Sequence, residues 1–175
     1  MAIEVGELAA RISKLPPLAG STRVIAIDGA AGSGKTTLAA RLGEQLAGSF
    51  VLNTDQLYYG WDGLAEGSRR LVDDVLRPLS EGEVATVRAW DWSAASEAEP
   101  RAVPSCETLI VDGAGCGSRA AAEFLSMIIW LDAEPEVRQR RALDRDGEMF
   151  APHWERWAEQ ERQLFELEQT RERAD

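Results

Sequence analysis

Histidine and cysteine are nearly missing from this chain, which has one of the first and two of the second in 175 residues. Cys106 and Cys116 have no metal-ligand company and need not pair, so a reducing cytoplasm is expected rather than a disulfide-stapled fold. Long apolar runs are also absent, and no segment approaches the length of a membrane span. The opening MAIEVGELAARISKL lacks a basic start and a continuous apolar stretch, so no signal peptide is expected. Positive charge is scarce: 19 Lys and Arg stand against 30 Asp and Glu, a net charge of −11. With no basic face in evidence, this argues against nucleic acid as the main partner. There is no internal repeat and no low-complexity tract. The rest is ordinary for a globular protein, with 45% hydrophobic and 28% charged residues, and the length suits one domain over residues 1–175.

Against this background, Val24–Thr37 reads VIAIDGAAGSGKTT. The β-branched run Val24-Ile25-Ala26-Ile27 predicts one buried strand. Gly29 to Thr36 then matches G-x-x-x-x-G-K-[ST] in full, the phosphate-binding loop. Leu38, Leu42 and Leu46 follow at four-residue steps, which predicts a helix with one apolar face. The chemistry explains the residue types. Glycines let backbone N–H groups point inward, and those groups and the positive end of the helix form an anion cradle. Lys35 supplies a mobile charge for the outer phosphates, and Thr36 a hydroxyl for Mg²⁺. An acidic protein can carry such a site, because the cradle is a local field.

The remaining chain alternates strand and helix signals. Residues Ile3 to Leu15 predict a leading helix, within residues 1–20, closed by Pro16-Pro17. Phe50-Val51-Leu52 predicts a second strand that delivers Asp55, one strand along from the phosphate loop, to the ligand-binding edge of a parallel sheet. There Asp55 is either a general base for a substrate hydroxyl or a helix-capping turn residue. Trp61 lies in an aromatic loop and serves either a flat ligand or the core. Ser68–Leu79 predicts a helix, Val84 to Val87 a short strand, and the polar stretch after Trp90-Asp91-Trp92 a loop. Thr108–Asp112 is an apolar strand ending in an acid, the pattern that places Asp112 on a Mg²⁺ shell. Gly113–Gly117 predicts a flexible turn into a helix with Arg119 and Phe124, and Met127–Leu131 a further strand. Glu134–Arg145 predicts a helix with Pro135 in its first turn. Arg138, Arg141 and Arg145 fall at i, i+3 and i+7 and share a face, either a solvated basic face or the phosphoryl-transfer lid expected over residues 134–152. His153 has no visible partner. Trp154 to Glu168 predicts a long packing helix.

These residues resemble the uridine kinase-like branch of the P-loop nucleoside and nucleotide kinases, from about Arg23 onward. That branch carries D-x-F-Y after its second strand; Asp55 and Tyr58 match, with Leu57 in place of Phe. Trp90-Asp91-Trp92 resembles its Y-D-F stretch. Ser93 to Glu97 then stand where uridine kinases place a His and an Arg. The resemblance implies a three-layer α/β/α P-loop NTPase fold with a mostly parallel central sheet of four to five strands. It implies ATP and Mg²⁺ as cofactors, a nucleotide and a small-molecule acceptor as partners, no membrane, and a cytoplasmic setting compatible with a homodimer. The catalytic set would be Lys35, Asp55, Arg141 and Arg145. Gly29, Ala30, Ala31, Gly32, Ser33, Gly34, Lys35, Thr36, Thr37 and Arg138 would hold the nucleotide. Asp55, Tyr58, Trp61, Asp91 and Arg119 would hold the acceptor, and Thr36 and Asp112 the metal. The expected activity is transfer of the γ-phosphoryl group to a hydroxyl, of a uridine- or cytidine-like nucleoside first. A sugar, vitamin, acid or nucleotide acceptor, or a regulatory module without turnover, stands as the alternative. A GTPase would need N-K-x-D, which the chain lacks.

Overall fold

The computed structural model describes residues 4–175, so Ile3 of the predicted leading helix lies outside the described residues. Helix α1 (Val5–Ile12) buries Leu8, Ala9 and Ile12. Four strands form the central sheet: β1 (Arg23–Asp28), β2 (Ser49–Asn53), β3 (Thr108–Asp112) and β4 (Met127–Trp130). All pair parallel in the order β2-β3-β1-β4. Ile27 and Asn53 both align with Asp112, so the segments leaving β1, β2 and β3 emerge on one edge.

Both faces of the sheet are covered, which is why its strands are apolar throughout rather than alternating. Ile25, Ile27 and Ile110 pack with α1 and with α2 (Lys35–Gln45), through Ala39 and Leu42. Val24, Ala26, Leu109 and Val111 face the other way, onto Leu71, Val75 and Leu76. Those three belong to a rod that begins as α3 (Leu64–Arg70), widens into a π turn over Leu71–Leu76 and ends at Arg77–Ser80. Pro78 has no N–H to give the carbonyl four residues back, and the rod widens just ahead of it. Helices α4 (Pro135–Phe150, kinked at Gly147, where φ is 55°) and α5 (Trp154–Glu168) close the edge where the strands end. The layers are helix, parallel sheet, helix, as expected for a P-loop NTPase.

Several local expectations are corrected. The helix predicted after Gly117 is a single 3₁₀ turn, Ala122–Phe124. The preceding turn is pinned rather than flexible, because Gly115 and Gly117 N–H donate to Asp28 at 2.9 and 2.8 Å. The polar loop after Trp92 belongs to two small antiparallel ribbons, which pair Trp90 with Glu97 and Val87 with Arg101. Strand β3 lies between β1 and β2, so Asp55 is two strands from the phosphate loop, not one. Among the described residues the sheet has four strands, and Asp175 lies along the outer edge of β4, its N–H donating to Ile128 O at 2.9 Å.

Candidate active site

The phosphate loop turns between β1 and α2 at the point where the strand order reverses, the crevice where open α/β sheets take ligands. Gly32 has φ of 78°, and a Cβ there would run into the Arg138 carbonyl of α4. Only glycine allows that approach. Beneath the loop, Asp28 is fully buried and accepts three backbone N–H groups, from Gly29 at 2.7 Å, Gly115 and Gly117. Burial pushes its carboxyl up, and the three donors and Lys35 pull it back. Backbone donors reach both of its oxygens. Asp28 thus ties the phosphate loop to the turn after β3. Its signal in the sequence is an acid closing an apolar strand directly before a glycine.

Lys35 Nζ donates to the Ala30 carbonyl at 2.9 Å, folded back over the loop it serves. Across the crevice, Asp112 Oδ1 accepts from Asn53 Nδ2 at 2.6 Å, while its Oδ2 is buried without a partner. Burial raises the Asp112 carboxyl, and the neighbouring Thr36 hydroxyl lowers it. An orphaned carboxylate oxygen beside a threonine hydroxyl fits Mg²⁺, which binds through few protein groups and completes its shell with phosphate and water. No cluster of three or more His, Cys, Asp or Glu side chains able to hold a metal occurs among the described residues, which that mode does not need. Gly113 follows at φ 150°, where a Cβ would collide with the Thr54 side chain, so the chain leaves Asp112 through glycine.

Asn53 also settles the position of Asp55. Its Oδ1 accepts the Asp55 N–H at 2.8 Å and so does the capping. The Asp55 carboxylate makes no hydrogen bond among the described residues and lines a cavity of about 240 Å³. The walls around it raise its pKa, Arg145 and Lys35 lower it, and Asp146 raises it again. The residue itself is exposed, so water in the cavity softens the push from the walls. Sequence patterning did not mark Asn53, which holds both acids.

The same cavity is lined by Ala31, Gly32, Lys35 and Thr36 on one side and by Tyr58, Trp61, Trp92, Phe150 and Trp157 on the other. Tyr58 offers its ring, because its hydroxyl donates to Ala114 O at 2.8 Å and meets the Thr54 hydroxyl. Trp61 is stacked on Phe150 and on His153, with centroids 5.4 and 4.3 Å apart, and tilts against Trp92 at 4.6 Å. His153 therefore has an aromatic partner. Arg145 reaches the cavity, paired with Asp146 at 2.6 Å and facing Asp55 and Asp112.

The structure does not bring the other predicted residues there. Arg138 turns back to the Ala133 and Ala31 carbonyls, at 3.1 and 3.4 Å. Arg141 lines a separate cavity with Gly34, Thr37, Leu38 and Arg41. The three arginines thus divide among three surroundings instead of forming one face. Asp91 spends its carboxylate on the Ser93 and Ala94 N–H groups, both at 2.9 Å, and Trp92 takes the cavity place instead. Arg119 is exposed and bound at 2.9 Å to the Oε1 of Gln169, the residue that follows α5.

One further residue reaches the loop. Glu161 of α5 is 3% exposed, and its Oε1 accepts from Ala31 N–H at 2.8 Å and Trp157 Nε1 at 2.9 Å. Burial pushes its carboxyl up to about 7, against the pull of Lys35, of those two donors and of Arg138. Trp157, Glu161 and Leu164 fall at i, i+4 and i+7, so the sequence signal was an acid inside an apolar helix stripe.

A loop of this geometry after β1, with an acid ending β3 beside it, defines a phosphate-binding-loop NTPase fold. Residues 25–161 match the family described as AAA domain, well over half the chain, and the chain belongs to that family. No curated protein matches the sequence. Among solved structures, it is similar to a possible uridine kinase from Bacillus stearothermophilus, with TM-score 0.71 and 19% identity over 98% of this chain and 95% of that one. It is also similar to a candidate fructose transport system kinase from Silicibacter sp. TM1040, with TM-score 0.66 and 19% identity over 90% of this chain and 88% of that one. The fold is the P-loop NTPase fold that these two structures share, in line with the uridine kinase-like resemblance of the sequence. No helix among the described residues is long and apolar enough to cross a membrane.

Proposed function

We propose that the protein is an ATP-dependent kinase that transfers the γ-phosphoryl group to a hydroxyl of a small acceptor, a nucleoside first. The observation that carries this is the Asp55 carboxylate. It is free of hydrogen bonds among the described residues and shares one cavity with Lys35, Arg145 and the phosphate loop.

The loop N–H groups and the N-terminus of α2 orient the polyphosphate, with Gly34 and Thr37 toward its nucleoside end and Ala31 and Gly32 toward its terminal end. Lys35 leaves the Ala30 carbonyl for the outer phosphates. Thr36 and Asp112 would hold Mg²⁺, which supplies charge neutralisation at the phosphate oxygens. Asp55 accepts the proton of the attacking hydroxyl at its carboxylate oxygen. Arg145 balances charge on the transferring group, and the aromatic wall keeps water out. A cavity of about 240 Å³ lies below the range of about 300–1,000 Å³ usual for drug-sized ligands, which suits one small acceptor. Four indole and phenyl rings on its wall favour a flat acceptor over a bare sugar.

The test is a panel of nucleosides, sugars and vitamins with Mg·ATP, run on wild type and Asp55→Asn. A nucleoside is expected to be phosphorylated. Asp55→Asn should lower kcat by about 10²–10⁴-fold and leave ATP affinity unchanged. Full turnover in Asp55→Asn removes the base. ATP binding with no acceptor phosphorylated favours a module without turnover.

A further inference from the structure

The anion cradle already holds a carboxyl group that belongs to the chain. Of the loop's N–H groups, Ala31's is given to Glu161 at 2.8 Å. That carboxylate is buried, anchored by Trp157 Nε1, and lines the acceptor-side cavity together with Ala31, Gly32 and Lys35. Gly34 and Thr37, at the other end of the loop, line the second cavity instead. A polyphosphate laid along the loop between the two cavities therefore brings its terminal phosphate to Ala31, where the carboxylate sits.

We infer that Glu161 is a specificity-determining residue that competes, as a carboxylate, with the nucleotide's terminal phosphate for the Ala31 N–H. The inference rests on the nucleotide reading above. Two anions cannot share one N–H, and like charges a few ångströms apart in a partly closed cavity repel strongly. A diphosphate, which stops short of Ala31, is opposed less than a triphosphate. Protonation of Glu161 removes the repulsion and leaves an O–H that can donate to phosphate. The charged groups around it are Lys35 from the start of α2 and Arg138 from α4, which favour its ionised form. Asp55, Asp112, Asp146 and Arg145 line the same cavity. Its carboxyl, raised to about 7, changes charge near neutrality. The triphosphate-to-diphosphate preference then falls as pH rises through that point.

The experiment is calorimetric titration of Mg·ATP and Mg·ADP into wild type, Glu161→Gln, Glu161→Ala and Lys35→Ala at about pH 6 and about pH 8. Both Glu161 variants are expected to bind ATP at least about tenfold tighter than wild type at the higher pH, with a smaller gain for ADP. Glu161→Gln should converge with wild type at the lower pH. The nucleotides' own titration is common to all variants and cancels in these ratios. Should either Glu161 variant not fold, the other and the wild-type ATP-to-ADP ratio, corrected for free-nucleotide titration, carry the test. Equal or weaker ATP binding in the Glu161 variants overturns the inference and makes Glu161 a loop support. If wild type binds neither nucleotide, or Lys35→Ala binds as well as wild type, the nucleotide reading itself fails, a separate result.

Discussion

The two walls of the cavity are built in different ways. The phosphate side is backbone: one short loop, held by its own glycines, by the N-terminus of α2 and by Asp28 beneath. The acceptor side is side chain, assembled from Tyr58, Trp61, Trp92, Phe150 and Trp157, which are spread over a hundred residues of sequence. A backbone wall tolerates change in most neighbouring side chains but not in its glycines or its lysine. A side-chain wall can be altered one ring at a time, so the proposed reaction could be kept while the acceptor changes.

The sharpest way to break this contrast is Lys35→Ala. It removes the lysine charge of the backbone wall and should lower kcat/KM on the order of 10³-fold or more, read with the best acceptor at saturating Mg·ATP. A loss of only a few-fold would mean that the loop is not where the phosphate sits.

Next comes the acid that bridges the walls. Glu161 has a folded-state pKa of about 7 against an ordinary 4.5. Below 4.5 it is neutral in both states and costs nothing. As pH rises from there to 7, the unfolded chain ionises first, so stability falls, by about 3 kcal/mol for a shift of this size, and then levels off. Burial raises Asp28 and Asp112 as well, so the slope must be isolated by comparison. The stability of Glu161→Gln minus that of wild type should grow with pH over this window, measured by urea unfolding. A flat difference would place the carboxyl near its ordinary value.

On the acceptor wall, Trp61→Ala takes away the ring that touches Phe150, His153 and Trp92. It should raise the acceptor KM about tenfold and leave the ATP KM within about twofold, in initial-rate kinetics. Equal rises in both would show that the walls are not separable.

The same contrast explains what could be read in advance. The loop, Lys35, Thr36 and Asp112 were legible because each depends on neighbours within a few residues, and so were the four strands and most helices. Asp55 was ambiguous in the sequence, base or cap, and in the structure it is Asn53 that does the capping. Trp92 and Phe150 were hidden, since nothing local says which aromatic of a run turns inward. Asp91 was misplaced for that reason: its carboxylate answers to the N–H groups two and three residues on, a turn contact that no ligand motif reveals.

The arginines of α4 show how far helical spacing alone can mislead. Spacing of three and seven puts Arg138, Arg141 and Arg145 on one stripe, yet α4 lies across the edge of the crevice, so each arginine on the stripe meets a different part of the molecule. Arg138 meets loop carbonyls, Arg141 the outer cavity beside Thr37 and Arg41, and Arg145 the acids of the central cavity. Two arginines at the outer cavity would attract the inner phosphate or the nucleoside end, which change little during transfer. Contacts equal in ground and transition states alter binding and not turnover. Arg141→Ala should therefore raise the Kd of ATP about threefold, as expected for one exposed charge, and leave kcat unchanged. A fall in kcat without a change in Kd would put Arg141 back beside Arg145 in a closed lid.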